Sequence, residues 1–121
     1  MPIKTVLIID DSPTERHILS QLLLGGGYEV SSAESGDEGI ARAKQIKPDL
    51  ILMDVVMPGT NGFQATRALA RDEATKHIPV IICTTKVQET DKVWGLRQGA
   101  RDYVTKPIDG PALLAKIAAL G

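Results

Sequence analysis

The sequence predicts an α/β fold: a five-stranded, doubly wound parallel sheet with helices on both faces. Apolar runs of strand length alternate with amphipathic segments of helix length along the whole chain, which is typical of repeated β/α units. Three of the runs are apolar throughout, as expected for strands buried in a parallel sheet. These runs are Val6–Ile9, Leu50–Met53 and Val80–Cys83.

The segment after the first strand predicts a helix. Ser12 and Glu15 have the spacing of a capping box, and Pro13 stands at the first helical position. The glycines at positions 25–27 end the helix and, because they follow it, do not form a phosphate-binding loop. Four apolar residues repeat at helical spacing within this segment: Ile18, Leu19, Leu22 and Leu23.

The remaining elements follow the same alternation. Tyr28–Ser32 is the weakest strand, short and partly polar, which suits a sheet edge. A second helix opens at Ser35 with another capping box and closes at Lys47–Pro48. Three further helices are expected, with ends uncertain by about 2–4 residues: about Gly62 to Asp72, about Gln88 to Gln98, and about Pro111 to Leu120.

Composition favours an ordinary globular domain. The 121 residues are 43% hydrophobic and 24% charged, which fits one compact domain over 1–121 with no attached output domain. A net charge of -1 gives no reason to expect nucleic-acid or membrane-surface binding. The single cysteine, Cys83, suits a reducing compartment, so we expect a cytoplasmic protein.

Polar residues stand just past four of the predicted strands. Asp10 and Asp11 follow the first strand, Asp54 the third and Thr84 the fourth, while Lys106 comes shortly after Tyr103–Val104. In an open parallel sheet, ligand chemistry lies at the carboxyl ends of the strands. If these strands are neighbours, the sequence predicts one pocket for a divalent cation and a phosphoryl group.

The residue types indicate the chemistry of this pocket. Two carboxylates 4 Å apart repel by roughly 4 kcal/mol at an effective dielectric near 20, so a bound cation best explains such a cluster. Oxygen ligands with water suit Mg²⁺. Asp54 is the best nucleophile for forming an aspartyl phosphate. Lys106 can pair with a phosphate oxygen, and the Thr84 hydroxyl can donate to another.

Other interpretations remain open on the residues alone. An Asp-Asp pair after a strand can be a helix cap with a solvated neighbour. An aspartate-based phosphatase or phosphotransferase usually needs a second acid two residues after its nucleophile, and that position is Val56. A nucleotide- or flavin-binding domain of the same fold needs a glycine-rich turn where Asp10 and Asp11 stand. Trp94 can pack inward or stand out as a partner anchor.

The sequence resembles a response-regulator receiver domain over essentially its whole length. Among receivers, it is similar to the small stand-alone ones of the pilus chemotaxis-like system that controls twitching motility. The stretch from Asp54 to Pro107 carries this narrower likeness. The family motifs are Ile9–Ser12, Leu52–Asp54 with Met57–Gly62, Thr84–Thr85, and Tyr103–Pro107.

The resemblance implies a flavodoxin-like strand order 2-1-3-4-5 and a role for each motif residue. Asp54 corresponds to the phosphoacceptor. Asp11 and Asp54 would ligate Mg²⁺ directly, with Asp10 holding a metal-bound water and the Val56 backbone carbonyl as a further ligand. Thr84 and Tyr103 correspond to the switch pair. Lys106–Pro107 corresponds to a cis peptide that directs the lysine into the site.

The resemblance also implies partners and a class of function. A histidine kinase would donate the phosphoryl group, and a motor or regulatory protein would bind the face of the fourth helix, fifth strand and fifth helix. The chain would signal by altered binding or drain phosphate from the kinase, without being an enzyme beyond self-dephosphorylation. We expect a monomer, and the aromatic residue that often follows the proline in receivers is replaced by Ile108.

Overall fold

Residues 2–86 and 88–121 are described by a computed structural model. The strands in these residues are β1 (Thr5–Ile9), β2 (Glu29–Ala33), β3 (Leu50–Met53), β4 (Val80–Thr84) and β5 (Asp102–Thr105). The helices are α1 (Pro13–Gly25), α2 (Gly36–Ile46), α3 (Gly62–Arg71), α4 (Glu89–Arg97) and α5 (Gly110–Leu120). Within the same residues the strands form one parallel sheet in the order β2-β1-β3-β4-β5. The predicted fold class, strand order and edge position of β2 are confirmed.

The two faces of the sheet pack against different helices. Leu7 and Ile9 of β1 belong to a buried cluster that includes residues of α2 and α3. Val6 and Ile8 belong to a second cluster with residues of α1 and α5. Adjacent residues of a strand point to opposite faces, so β1 supplies both layers and all four of these side chains are buried.

Side-chain exposure differs from the helical pattern at one position of α1. Leu19 and Leu23 are buried in the α1–α5 layer, but Ile18 is 50% exposed. The spacing of the apolar residues therefore predicted the helix correctly, but not every apolar residue in that pattern is buried against the sheet. Across residues 2–86 and 88–121, no helix combines the length and apolar character needed to span a membrane.

The helix starts differ from the capping boxes expected at α1 and α2. Ser12 and Ser35 each accept a hydrogen bond from a backbone N–H three residues later, at 3.2 Å. At Ser12 the reciprocal bond is replaced, because its backbone N–H donates to Asp10 at 3.0 Å. A complete capping box instead opens α3, where Asn61 and Gln64 exchange both bonds.

The start of α3 lies directly on the end of β3. The backbone N–H of Gly62 donates to the Val55 carbonyl at 3.0 Å, and a Cβ atom on Gly62 would overlap the Asp54 carbonyl oxygen. Only glycine fits at this distance. This contact fixes the backbone that carries the Asp54 side chain.

Candidate functional site

Three carboxylates meet at the carboxyl end of the sheet. Asp10, Asp11 and Asp54 each offer an oxygen within 4.8 Å of the others. Asp10 is 1% exposed and Asp54 is 8% exposed, whereas Asp11 is exposed to solvent. The sequence-predicted cluster is therefore assembled, with one acid accessible and two buried.

The Lys106 ammonium group lies inside this cluster. Its Nζ atom is 2.7 Å from Asp10 Oδ2 and 3.9 Å from Asp54 Oδ1, and the side chain is only 7% exposed. Lys106 follows β5 directly. Its backbone N–H donates to the Thr84 carbonyl at 2.8 Å, which continues the pairing between β4 and β5. The Lys106–Pro107 peptide is cis, as expected.

The surroundings raise the pKa of Asp54 above its ordinary value. Burial is the main cause, and the charge of Asp10 adds to it. The Lys106 charge opposes the shift, as do the backbone N–H of Val55, which donates to Asp54 Oδ1 at 2.9 Å, and the Thr84 hydroxyl. Asp54 is thus a carboxylate whose negative charge is only partly compensated.

The pKa of Lys106 is also raised, but here the charged partners outweigh burial. Burial by itself lowers the pKa of its ammonium group, but the hydrogen bond to Asp10 and the charges of Asp54, Asp10 and Glu15 together raise it. The ammonium therefore stays charged at neutral pH and can hold an anion beside Asp54.

The two predicted switch residues, Thr84 and Tyr103, both form hydrogen bonds with the backbone of Lys86. Thr84 is fully buried, and its Oγ1 accepts a hydrogen bond of 3.4 Å from the Lys86 N–H. The Tyr103 hydroxyl donates to the Lys86 carbonyl at 3.0 Å. Lys86 lies in the loop between β4 and α4, so both side chains fix one point of that loop. Burial raises the pKa of Tyr103 to about 12, which keeps its hydroxyl a donor at neutral pH.

Two further charged residues border the site. The Glu15 carboxylate lies 3.7 Å from Lys106, and Arg16 donates to the Asp10 backbone carbonyl at 2.7 Å. The spacing of Ser12 and Glu15 predicts a capping box for Glu15, and no sequence motif indicates a role for Arg16. Their positions in the first turn of α1, directly after Asp10 and Asp11, were the available signal.

Three other residues considered in the sequence analysis lie near or outside the acidic cluster: Val56, Cys83 and Trp94. Val56 follows Asp54 in the loop after β3, with 57% of its residue surface exposed. Cys83 is buried, and burial raises the pKa of its thiol to about 12, so it is an inert core residue. Trp94 is 49% exposed on α4, which answers the question of its orientation.

The donor set fits a hard divalent cation. The three acids supply oxygen atoms at one accessible edge, and oxygen ligands are those that Mg²⁺ prefers. A cation there would relieve the repulsion among carboxylates that Lys106 compensates only in part. The same arrangement leaves Asp54 and Lys106 side by side for an incoming anion.

Comparison with known proteins gives a consistent result. The profile of the response regulator receiver domain matches residues 6–118. The chain is 61% identical to Protein PilH of Pseudomonas aeruginosa over 115 residues, which is 95% of each chain. It is 43% identical to the phosphate regulon transcriptional regulatory protein PhoB of the same organism but spans only 51% of that protein. Chemotaxis protein CheY4 of Vibrio cholerae has the same fold, with a TM-score of 0.91, 32% identity, and coverage of 98% of this chain and 99% of that one.

Proposed function

Because this chain belongs to the response regulator receiver domain family, we propose that it accepts a phosphoryl group on Asp54 from a histidine kinase. One observation carries the assignment of Asp54. It is a nearly buried carboxylate at the end of β3, lying 3.9 Å from the Lys106 ammonium and within 4.8 Å of the other two acids. An anion that reaches Asp54 therefore meets a fixed positive charge.

The proposed step is a phosphoryl transfer. An Asp54 carboxylate oxygen forms a bond to phosphorus while the bond from phosphorus to the kinase histidine nitrogen breaks, and that nitrogen keeps the electron pair. Lys106 would pair with one phosphoryl oxygen, and the Thr84 hydroxyl would donate to another. Both groups are already buried beside Asp54, so the donors for the phosphoryl oxygens lie close to the acceptor before transfer.

We propose Mg²⁺ as the cofactor. Asp11 and Asp54 would be direct ligands with the Val56 carbonyl, and Asp10 would contact the metal through water. Bound Mg²⁺ would offset the negative charge that otherwise opposes phosphate. The exposed Asp11 and the Lys106-bound Asp10 support this division of roles.

Pilus-based motility is the proposed pathway. The narrower likeness to stand-alone receivers and the 61% identity to Protein PilH support it. The phosphorylated chain would then act on a motor or regulatory protein through the face of α4, β5 and α5, or drain phosphate from the kinase. We further propose that it acts in the cytoplasm as a monomer and that it hydrolyses its own acyl phosphate.

The experiment that tests the assignment is phosphorylation of Asp54→Asn and Asp54→Ala. Both variants should take up no phosphoryl group from a kinase or from acetyl phosphate with Mg²⁺, while circular dichroism shows a native fold. Asp109→Asn is the control, since asparagine caps α5 as well as the native aspartate. Undiminished labelling of the Asp54 variants, or label that survives acid and hydroxylamine, would overturn the aspartyl-phosphate assignment.

A further inference from the structure

A cationic groove lies between α3 and α4, apart from the acidic cluster. It has a volume of about 430 Å³. Three guanidinium-bearing residues line it together with the exposed indole of Trp94: Arg67, Arg71 and Arg97. Of the residues that the structure describes, no acidic one contributes to its walls.

In the part of the chain that the structure describes, these three arginines have no partner of opposite charge. Among residues 2–86 and 88–121, none of their side chains makes a salt bridge within 4.0 Å or a hydrogen bond. Arg71 and Arg97 stand in the last turns of their helices, where a positive charge stabilises a helix. That effect does not account for Arg67, nor for the convergence of all three charges on one groove.

Trp94 joins the groove to an apolar surface. A second depression of about 300 Å³ runs along the outer side of α4, lined by Glu89, Thr90, Val93, Trp94 and Arg97. Val93 and Trp94 are 44% and 49% exposed. The two depressions share Trp94 and Arg97 and therefore form one continuous surface.

The floor of the groove is closely packed. Gly99 has φ +112°, and a Cβ atom there would lie 2.8 Å from the Ala70 side chain, so the turn after α4 packs closely on α3. The Gln98 backbone N–H donates to the Trp94 carbonyl at 3.1 Å, and Gln98 is 8% exposed. A preformed groove binds without the free-energy cost of ordering its walls.

We propose that the α3–α4 groove is a docking site for an acidic protein segment that carries a large apolar side chain. Glutamate or aspartate carboxylates would pair with the arginines, whose planar guanidinium groups bind carboxylates through two parallel hydrogen bonds. The apolar side chain would cover Trp94 and Val93. Tryptophan and arginine are the residues that most often supply binding energy at such interfaces. The proposal does not rest on phosphoryl transfer to Asp54, because the acidic cluster lies outside the residues that line the groove.

The test uses a synthetic peptide rich in glutamate and leucine, titrated against the full chain while the emission of Trp94 is recorded. Binding should shift the emission to shorter wavelength and saturate. In Arg67→Gln/Arg71→Gln the affinity should fall about tenfold or more. Arg101→Gln is the matched control, since it removes one guanidinium from a separate cavity and should leave the affinity within about twofold.

Three outcomes would overturn the proposal. The first is no saturable response to the glutamate–leucine peptide. The second is an equal affinity for a lysine–leucine peptide or for the double variant. The third is a Trp94 response to ATP or pyrophosphate but not to the peptide, which would make the groove a nucleotide or phosphate site. Circular dichroism of each variant would show that these surface changes leave the fold intact.

Discussion

The Lys106 ammonium donates a 2.7 Å hydrogen bond to the Asp10 carboxylate, although the two residues are 96 positions apart. Their side chains are 7% and 2% exposed. The bond links the end of β1 to the loop after β5, across the ends of β3 and β4 that lie between them. Lys106 is therefore already engaged before any phosphoryl group arrives, and it both stabilises the fold and serves the site.

Lys106→Met should reduce the free energy of unfolding by about 3 kcal/mol, because it leaves the buried Asp10 carboxylate without its partner. Urea unfolding in the absence of divalent cations is the measurement. Lys116→Met is the control, since Lys116 and Asp102 form a 3.0 Å pair with side chains 42% and 39% exposed, worth less than about 1 kcal/mol. Equal losses in the two variants would show that the Lys106–Asp10 pair has no special role in stability.

Mg²⁺ should bind weakly without phosphate, since few protein ligands are available and the ion keeps several waters. Asp11→Ala should weaken binding at least about tenfold and more than Asp10→Ala. Asp10 already accepts hydrogen bonds from Lys106 and the Ser12 N–H, which leaves it less free to ligate directly. Titration calorimetry is the measurement, with Asp37→Ala as an exposed control outside the cluster. Equal or reversed losses would contradict the proposed ligand roles.

Gly62→Ala should destabilise the fold by about 1–3 kcal/mol and slow phosphorylation. Its Cβ atom would overlap the Asp54 carbonyl oxygen, so the end of β3 must shift and carry the Asp54 side chain with it. Urea unfolding and acetyl phosphate labelling measure the two effects. Gly25→Ala is the control, because no atom lies within 4 Å of a Cβ there, and alanine in α1 should stabilise by roughly 0.5–1 kcal/mol. A Gly62 variant labelled at the native rate would show that this contact does not set the Asp54 position.

The strands and the ends of the sheet could be predicted because apolar runs stop at polar residues. Asp54 and Thr84 each follow such a run directly, and parallel strands then bring them to one edge. The hydrogen bonds that cap the helices were harder to predict from sequence. Glu15 has the right spacing for a capping box, but its carboxylate lies 3.7 Å from Lys106, a partner distant in sequence. Local spacing cannot weigh such a long-range charge against a cap.

Exposure on the helices depended on tertiary packing. Ile18 shares the periodicity of Leu19 but lies outside the layer between α1 and α5 and is 50% exposed. Trp94 fitted either orientation in α4 because the helix is short, and its apolar residues do not form one clear stripe. The close packing of Gly95 against Ile82 and Tyr103 shows which side of α4 faces the sheet.

Asp49 should make the free energy of unfolding depend on pH in the acidic range, below about pH 4. Its Oδ2 accepts backbone hydrogen bonds from Lys4 at 2.9 Å and Thr5 at 3.1 Å, and these bonds lower the pKa of the carboxyl. Its contribution is present above the unfolded pKa of about 3.9 and is lost as the pH falls through the lower, folded value. Asp49→Asn should cost about 1 kcal/mol at pH 7, allowing for its exposure, and progressively less below about pH 4.

Urea unfolding of the native protein and Asp49→Asn across this pH range is the measurement. Glu29→Gln is the control, since the exposed Glu29 carboxylate makes no hydrogen bond or ion pair within the part of the chain that the structure describes. A difference between native and Asp49→Asn that stays constant with pH would attribute the effect to shape and not to charge.

The path from Asp54 to the outer face can be followed through Lys86. Thr84 accepts from the Lys86 N–H, and Tyr103 donates to the Lys86 carbonyl. If the Thr84 hydroxyl turns toward a phosphoryl group, the loop after β4 loses one of these two bonds and can move. The Tyr103 ring packs beside Gly95, since a Cβ there would lie 3.1 Å from it, so its reorientation changes the setting of α4.

Beryllofluoride with Mg²⁺, a mimic of the phosphoryl group, should therefore change the emission of Trp94, the only tryptophan. Trp94 adjoins Gly95 and is 49% exposed, so its emission should respond to a movement of α4 and not to the metal site directly. The change should vanish in Asp54→Ala, which cannot hold the mimic, and be smaller in Thr84→Ala, which keeps the acceptor but lacks the hydroxyl. A population shift requires contacts made in only one state, and those contacts are absent or reduced in the two variants. An equal response in all three proteins would mean that Trp94 senses something other than the coupling from Asp54 through Thr84.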